Sequence, residues 1–212
     1  MHLRARVATT TSAVATALAL SVSLAPSASA EPPGIPSTET AESQLAALPV
    51  EAEGPMTGYD RDEFPHWSSV EGNCNTRETV LARDGEGVES GTDCYPTSGD
   101  WYSEYDGESF TVAGDLDIDH VVPLAEAWRS GADNWSEEDR EAFANDLEGP
   151  QLIAVSASSN RSKGDQDPST WWPEESSYRC TYAKMWVSTK YRWGLALQSE
   201  EKTALTEELE SC

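Results

Sequence analysis

Positive charge is scarce in this chain. Fourteen lysines and arginines stand against 38 aspartates and glutamates, a formal net charge of −24 over 212 residues. Such a chain repels polyanions at long range and low salt, so any affinity for nucleic acid has to be built locally. Histidine is rarer still, with three residues in all. The four cysteines show no C-x-x-C spacing and no histidine partners, which excludes a zinc site of the usual kind. No apolar run after the first thirty residues has the length of a membrane helix. No internal repeat is present, and no pair of acids stands apart from the acidic background to mark a glycosidase.

What is present begins with a leader. Arg4 and Arg6 precede an apolar stretch from Ala13 to Ala25, and Ala28-Ser29-Ala30 forms a cleavage site, so residues 1–30 read as a signal peptide. No cysteine lies next to the cut, which argues against a lipid anchor. The expected product is secreted, extracellular and free of the membrane, with 182 residues, enough for one globular domain. It carries 12 basic against 38 acidic side chains, a net charge of −26 that suits solubility in salty surroundings. Residues 151–198 depart from this, with a net charge of +2. Four cysteines in an oxidising compartment allow three pairings. Cys74 with Cys94 and Cys180 with Cys212 close modest local loops, each contributing about 3 kcal/mol by loop entropy.

Residues 31–58, rich in Pro, Glu, Ala, Ser and Thr, read as a flexible linker with one weak helix near Thr38 to Leu48. The domain then runs over 59–212. Its pattern predicts a packed lead-in from Tyr59, a helix over Asn75–Ala82, and a hairpin turning at Asp106-Gly107. A strand over Leu116–Val122, helices over Pro123–Arg129 and Ser136–Ala144, and a strand over Gln151–Val155 follow. Ser156 caps a short helix, Tyr178–Leu197 is helical, and Ser199 caps a last helix. The class is α+β, a small sheet with several helices.

The chemistry gathers on two units. Asp119 and His120 end the strand that starts at Leu116, and Gln151 to Asp165 form the second unit. Hydrolysis of a phosphodiester needs an activated water and a counter-charge for the phosphorane. His120 is the candidate base, since the only other histidine after the leader is His66. Asp119 offers a hard oxygen for magnesium and Asn160 a second, and magnesium is commonly held by few protein ligands. A regular strand points neighbours to opposite faces, so Asp119 and His120 share a site only if the strand bends or ends there. A half-buried structural histidine is the competing reading.

The run Asp119-His120-Val121-Val122-Pro123-Leu124, with Gln151-Leu152-Ile153-Ala154-Val155 and Asn160-Arg161-Ser162-Lys163-Gly164-Asp165, resembles the HNH (ββα-metal) endonucleases. It is closest in pattern to secreted actinobacterial HNH proteins related to the C-terminal domain of GmrSD-type restriction enzymes. The resemblance spans about Tyr59 to Cys212. It implies a β-hairpin and helix, an HNH-like core, gripping one divalent ion, Mg2+ first with Mn2+ or Ca2+ as alternatives. His120 would be the general base, with Asp119 and Asn160 as ligands. Gln151 stands where the family usually has Asn and would brace the histidine. The implied substrate is nucleic acid, DNA ahead of RNA, with little sequence preference, cut by a monomer.

Arg161 and Lys163 either hold the phosphate backbone or form a solvated face. Arg77 either reaches the phosphate or makes a surface ion pair. Asp115 and Asp117 read as the wet face of the strand. Of the eight tryptophans, Trp171-Trp172 is the pair expected to be exposed, and it supports the rival reading of a non-enzymatic glycan- or cell-wall-binding domain. A metal-stabilised interaction module is the third reading.

Overall fold

Small polar residues cap the starts of four α-helices among the described residues. The computed structural model describes residues 31–212; the expected leader, residues 1–30, and its cleavage site lie outside the described residues. Ser37 caps α1 (Thr38–Ala47) by accepting from the Thr40 amide. A short pair, β1 (Ser69–Glu71) and β2 (Cys74–Asn75), leads into α2 (Thr76–Asp84). Asn75 and Glu78 close a reciprocal capping box at its start. Then come β3 (Gly85–Ser90), β4 (Pro96–Ser103) and β5 (Glu108–Phe110), an antiparallel sheet in the order β3-β4-β5. The tight connection from β4 to β5 contains Gly107 at φ +74°, a conformation that glycine adopts without steric cost. The strand β3 has no counterpart in the sequence reading, because its Gly-Glu-Gly-Val-Glu-Ser stretch lacks clean apolar alternation.

Next, β6 (Leu116–His120), α3 (Leu124–Arg129) and α4 (Glu137–Ala144, capped by Ser136) lead to β7 (Leu152–Ser156). β6 and β7 pair antiparallel in register from Leu116↔Ser156 to His120↔Leu152. The short helix α5 (Ala157–Lys163) follows β7 directly, with the Ser156 hydroxyl accepting from the Ser159 amide. Then come α6 (Arg179–Trp193) and α7 (Ser199–Ser211). Cys74–Cys94 and Cys180–Cys212 are both bonded, the pairing of the three possible ones that closes modest local loops. Seven α-helices and three small sheets among the described residues make a mixed α+β fold.

The β6–β7 ribbon is buried on both sides, which is why β7 reads as a continuous apolar run. Leu116, Ile118, Leu152 and Ala154 pack with Val80, Leu81 and Trp101. Ile153 and Val155 join the larger cluster of Phe64, Tyr105, Trp128, Phe143, Tyr182 and Trp186. The two candidate units thus lie on one ribbon with a core on either face.

Residues 31–58 are not a free linker. The weak helix expected there exists as α1, and it buries Ala41 and Leu45 in the larger cluster, against α6 and α7. Beyond it, Val50 bridges to Leu197, the Gly54 amide donates to the Arg129 carbonyl at 2.8 Å, and Glu53 pairs with Arg129 at 2.6 Å. A Pro- and Glu-rich composition concealed an i,i+4 apolar pair, and burying that pair offsets the entropy of ordering the segment. Among the described residues no helix is long and apolar enough to cross a membrane.

Candidate active site

β6 ends at His120, where the Gln151 side chain takes over from the ladder. Its Oε1 accepts from the Val122 amide at 3.0 Å and its Nε2 donates to the Val122 carbonyl at 2.8 Å. Gln151 therefore braces the backbone that leads into α3 and does not hold the histidine, contrary to the role the resemblance implied.

The imidazole has another partner. His120 Nε2 lies 2.9 Å from the Ala144 carbonyl at the end of α4, and its ring stacks on Trp67 with centroids 5.6 Å apart. A carbonyl only accepts, so Nε2 carries the hydrogen and Nδ1 is left as the basic nitrogen. Burial pushes the imidazole down to about 3, against the raising effect of the Ala144 bond, so the ring is neutral at pH 7. Trp67 holds its stacking position at φ +63°, strained for a residue with a side chain and of a kind that gathers at functional sites.

Asp119 faces the other way, as strand alternation requires. Its Oδ1 accepts from the Lys163 ammonium at 2.9 Å and its Oδ2 from the Tyr105 hydroxyl at 2.7 Å. Lys163 also donates to the His120 carbonyl at 2.9 Å and is fully buried. The exposed phosphate-holding role considered for Lys163 is thereby corrected. It is an internal counter-ion that ties α5 to the end of β6. Burial raises the Asp119 carboxyl and lowers the Lys163 ammonium, while each partner opposes the other's shift. Gly164 at φ +56° ends α5 immediately after Lys163.

Asn160, one turn before Gly164, turns its Nδ2 to Asp117 Oδ2 at 3.2 Å, and its Oδ1 accepts no bond from the described residues. Arg161 pairs loosely with the same Asp117 at 3.5 Å. Asp117 is thus more than a wet surface acid, since it orients the Asn160 amide. Arg77 donates to the Ala113 and Leu116 carbonyls and lies over the Tyr95 ring, so it neither reaches a phosphate nor pairs with a carboxylate. Trp171 and Trp172 are half-buried against Tyr182, not exposed.

Asp119, His120, Asn160 and Arg161 line one cleft of about 270 Å³, together with Tyr59, Arg61, Pro123, Leu124, Gly164 and Asp165. Gln151 and Arg77 are not among its lining residues. The strand's end lets two residues with opposed side chains border the same space. Among the described residues no group of three His, Cys, Asp or Glu side chains forms a metal cluster. A single hard cation still fits the donor chemistry. Asp119 has lone pairs left on both oxygens, Asn160 has a free carbonyl oxygen, and magnesium needs few protein ligands.

Sequence reasoning missed Tyr59, Arg61, Trp67, Tyr105 and the Ala144 carbonyl. The aromatic density of Tyr59 to Trp67 was the one visible signal, and it was read as packing.

Residues 84–208 match the family model described as GmrSD restriction endonucleases, C-terminal domain. A protein of Arthroderma benhamiae (strain ATCC MYA-4681 / CBS 112371) named "Uncharacterized secreted protein" is 54% identical over 181 residues, covering 85% of this chain and 89% of its own. The chain belongs to the family of GmrSD restriction endonuclease C-terminal domains, and it is a secreted protein. The resemblance pointed to actinobacterial proteins; this relative is fungal. No solved structure matches the chain.

Proposed function

We propose that this protein is a secreted, divalent-metal-dependent endonuclease of the HNH type, a monomer that cuts DNA with little sequence preference. The observation that carries the reading is the place of His120 on the cleft, with its Nε2 2.9 Å from the Ala144 carbonyl. His120 lines the cleft that Asp119 and Asn160 border, and a neutral imidazole whose Nε2–H is committed to the Ala144 carbonyl keeps the Nδ1 lone pair free to accept a proton. That is the state a general base needs before it takes a proton from water. The succession β6, β7, α5 supports the ββα reading, and membership of a restriction-endonuclease domain family supports nucleic acid as substrate.

In this reading His120 Nδ1 accepts the proton of the attacking water, and Trp67 stacking with the Ala144 bond holds the ring in place. Asp119 and Asn160 would hold the cation, which supplies counter-charge to the phosphate and help to the leaving oxygen. Asp117 keeps the Asn160 amide turned so that its oxygen is available. Lys163 and Tyr105 fix the Asp119 carboxylate.

The test is supercoiled plasmid incubated with the oxidised secreted chain in magnesium, manganese or calcium, and in chelator, beside Asn160→Ala. Nicking that needs metal is expected. In the variant the metal concentration for half-maximal cutting should rise about 10-fold or more. Asn160 serves better than Asp119 here, because removing Asp119 would strand the buried Lys163 ammonium and unsettle the fold. A folded wild-type protein that cuts neither DNA nor RNA with any of these metals would overturn the proposal. The half-buried Trp171 and Trp172 give the glycan-binding alternative little surface to work with.

A further inference from the structure

The family match begins at residue 84, yet part of the cleft is built by residues before it. Tyr59 and Arg61 line the cleft together with the α5 residues Asn160 and Arg161, and Trp67 from the same segment stacks on His120. The segment is anchored. Tyr59 packs on Phe64 and Trp128, and Phe64 is fully buried in the larger core cluster. Arg140 donates to the Glu63 carbonyl at 2.7 Å.

Arg61 sits on the 3-10 turn Arg61–Glu63 with its side chain exposed. Of the two arginines that line the cleft, Arg161 has a carboxylate partner in Asp117, whereas Arg61 has none among the described residues. In a chain with 38 acids, an unpaired guanidinium beside the candidate base is a specific placement. Its Nε is steered by a long 3.5 Å contact to His66 Nε2. His66 Nδ1 lies 2.9 Å from the Phe64 carbonyl, so that nitrogen carries the hydrogen and Nε2 is left to accept from Arg61. Both terminal nitrogens of Arg61 remain available as a planar pair of donors, the geometry that phosphate oxygens match.

Resting on the nuclease reading of the same cleft, we propose that Arg61 is a substrate-phosphate residue, supplied to the active site by the segment that precedes the family domain. It would grip a non-bridging oxygen of the phosphodiester backbone in the cleft that Asn160 also lines. It supplies locally the positive charge that the chain as a whole lacks, and Tyr59 forms the adjoining wall.

Two readouts separate this proposal from the nuclease reading. The first is binding of a short fluorescein-labelled DNA duplex in chelator, followed by anisotropy over a series of salt concentrations. Wild type, Arg61→Gln, Arg61→Lys and, as a distant control, Lys184→Gln are compared. Arg61→Gln should weaken binding about 10-fold and reduce the slope of log affinity against log salt by about 0.9, the loss of one phosphate contact. Arg61→Lys should keep the slope, which a merely structural role would not predict, and Lys184→Gln should leave both unchanged. The second readout is plasmid cutting in magnesium, where Arg61→Gln should lower kcat/KM by about 10- to 100-fold. Equal binding and equal salt slope in wild type and Arg61→Gln would overturn the role of Arg61, even if the protein cuts DNA. Loss of binding in Arg61→Gln with a normal slope for Arg61→Lys would support it, even if no cutting is seen. A wild-type chain that neither binds nor cuts the duplex would overturn both readings together.

Discussion

Replacing His120 by alanine should lower plasmid cutting by about 10²- to 10⁴-fold while the protein stays folded. The magnitude is that of a positioned general base. The geometry explains why no neighbour can substitute. His66, the other histidine after the leader, has its Nδ1 on the Phe64 carbonyl and its Nε2 in contact with Arg61. Asp119 has Lys163 and Tyr105 on its two oxygens, and it points from the opposite face of β6. The substitution also leaves the Ala144 carbonyl without its donor and Trp67 without its stacking partner, a cost of about 1–3 kcal/mol if water does not enter. Circular dichroism and a melting curve therefore accompany the assay. A folded variant that cuts at the wild-type rate would show that the water is activated elsewhere and that His120 is a buried structural histidine.

The second large effect is on stability. Lys190 is fully buried on α6, where its ammonium meets Glu126 at 2.8 Å, Glu201 at 2.7 Å, the Ser130 hydroxyl at 3.0 Å and the Ala196 carbonyl at 2.9 Å. Glu201 also accepts from the Trp186 indole, and Arg129 shares Glu126. This cluster joins α3, α6 and α7 through charges whose burial is tolerable only when all partners are present. Lys190→Met should destabilise by about 3–5 kcal/mol, the range for stranding a buried charge. In a chain of this size that is a melting temperature lower by about 10 °C.

The loss should depend on pH. Burial raises the Glu201 carboxyl, and the pull of Lys190 only partly offsets it. Burial also pushes Glu126 upward, but Lys190 and Ser130 outweigh it and the net direction is down. Without Lys190 both carboxyls move up. A group with a raised folded pKa contributes stability below its unfolded value and loses it as pH rises. The deficit of the variant relative to wild type should therefore be larger at pH 8 than at pH 5. Melting curves of both proteins at the two pH values decide it. A deficit that is the same at both would mean that lost packing, not stranded charge, is the cause.

Glu126 illustrates how far the sequence could be read. A helix that starts at Pro123 carries Glu126 in its first turn, which by itself suggests a surface acid. In fact it is buried on the far side of α3 with a lysine 64 residues away. Nothing within a few residues of Glu126 announces that lysine. The capped starts of α4 and α5 were legible for the opposite reason, because an N-cap is decided within one turn by residues that are also neighbours in sequence.

The sequence by itself determined the α+β class, most helices, the β6–β7 units and the family, since each depends on local periodicity, capping or a contiguous motif; of the three cysteine pairings it left open, it favoured the two short loops that the fold closes. It also indicated that His120, Asp119 and Asn160 belong together. Tertiary structure alone decided what each of them touches. It placed Lys163 inside on Asp119, sent Gln151 to Val122 instead of to the histidine, and gave the Nε2 of His120 to Ala144. It also folded α1 onto α6 and α7 and brought Arg61 to the cleft. Those outcomes depend on contacts between residues tens of positions apart, whose free energy comes from burial and pairing in three dimensions, and local sequence does not encode them.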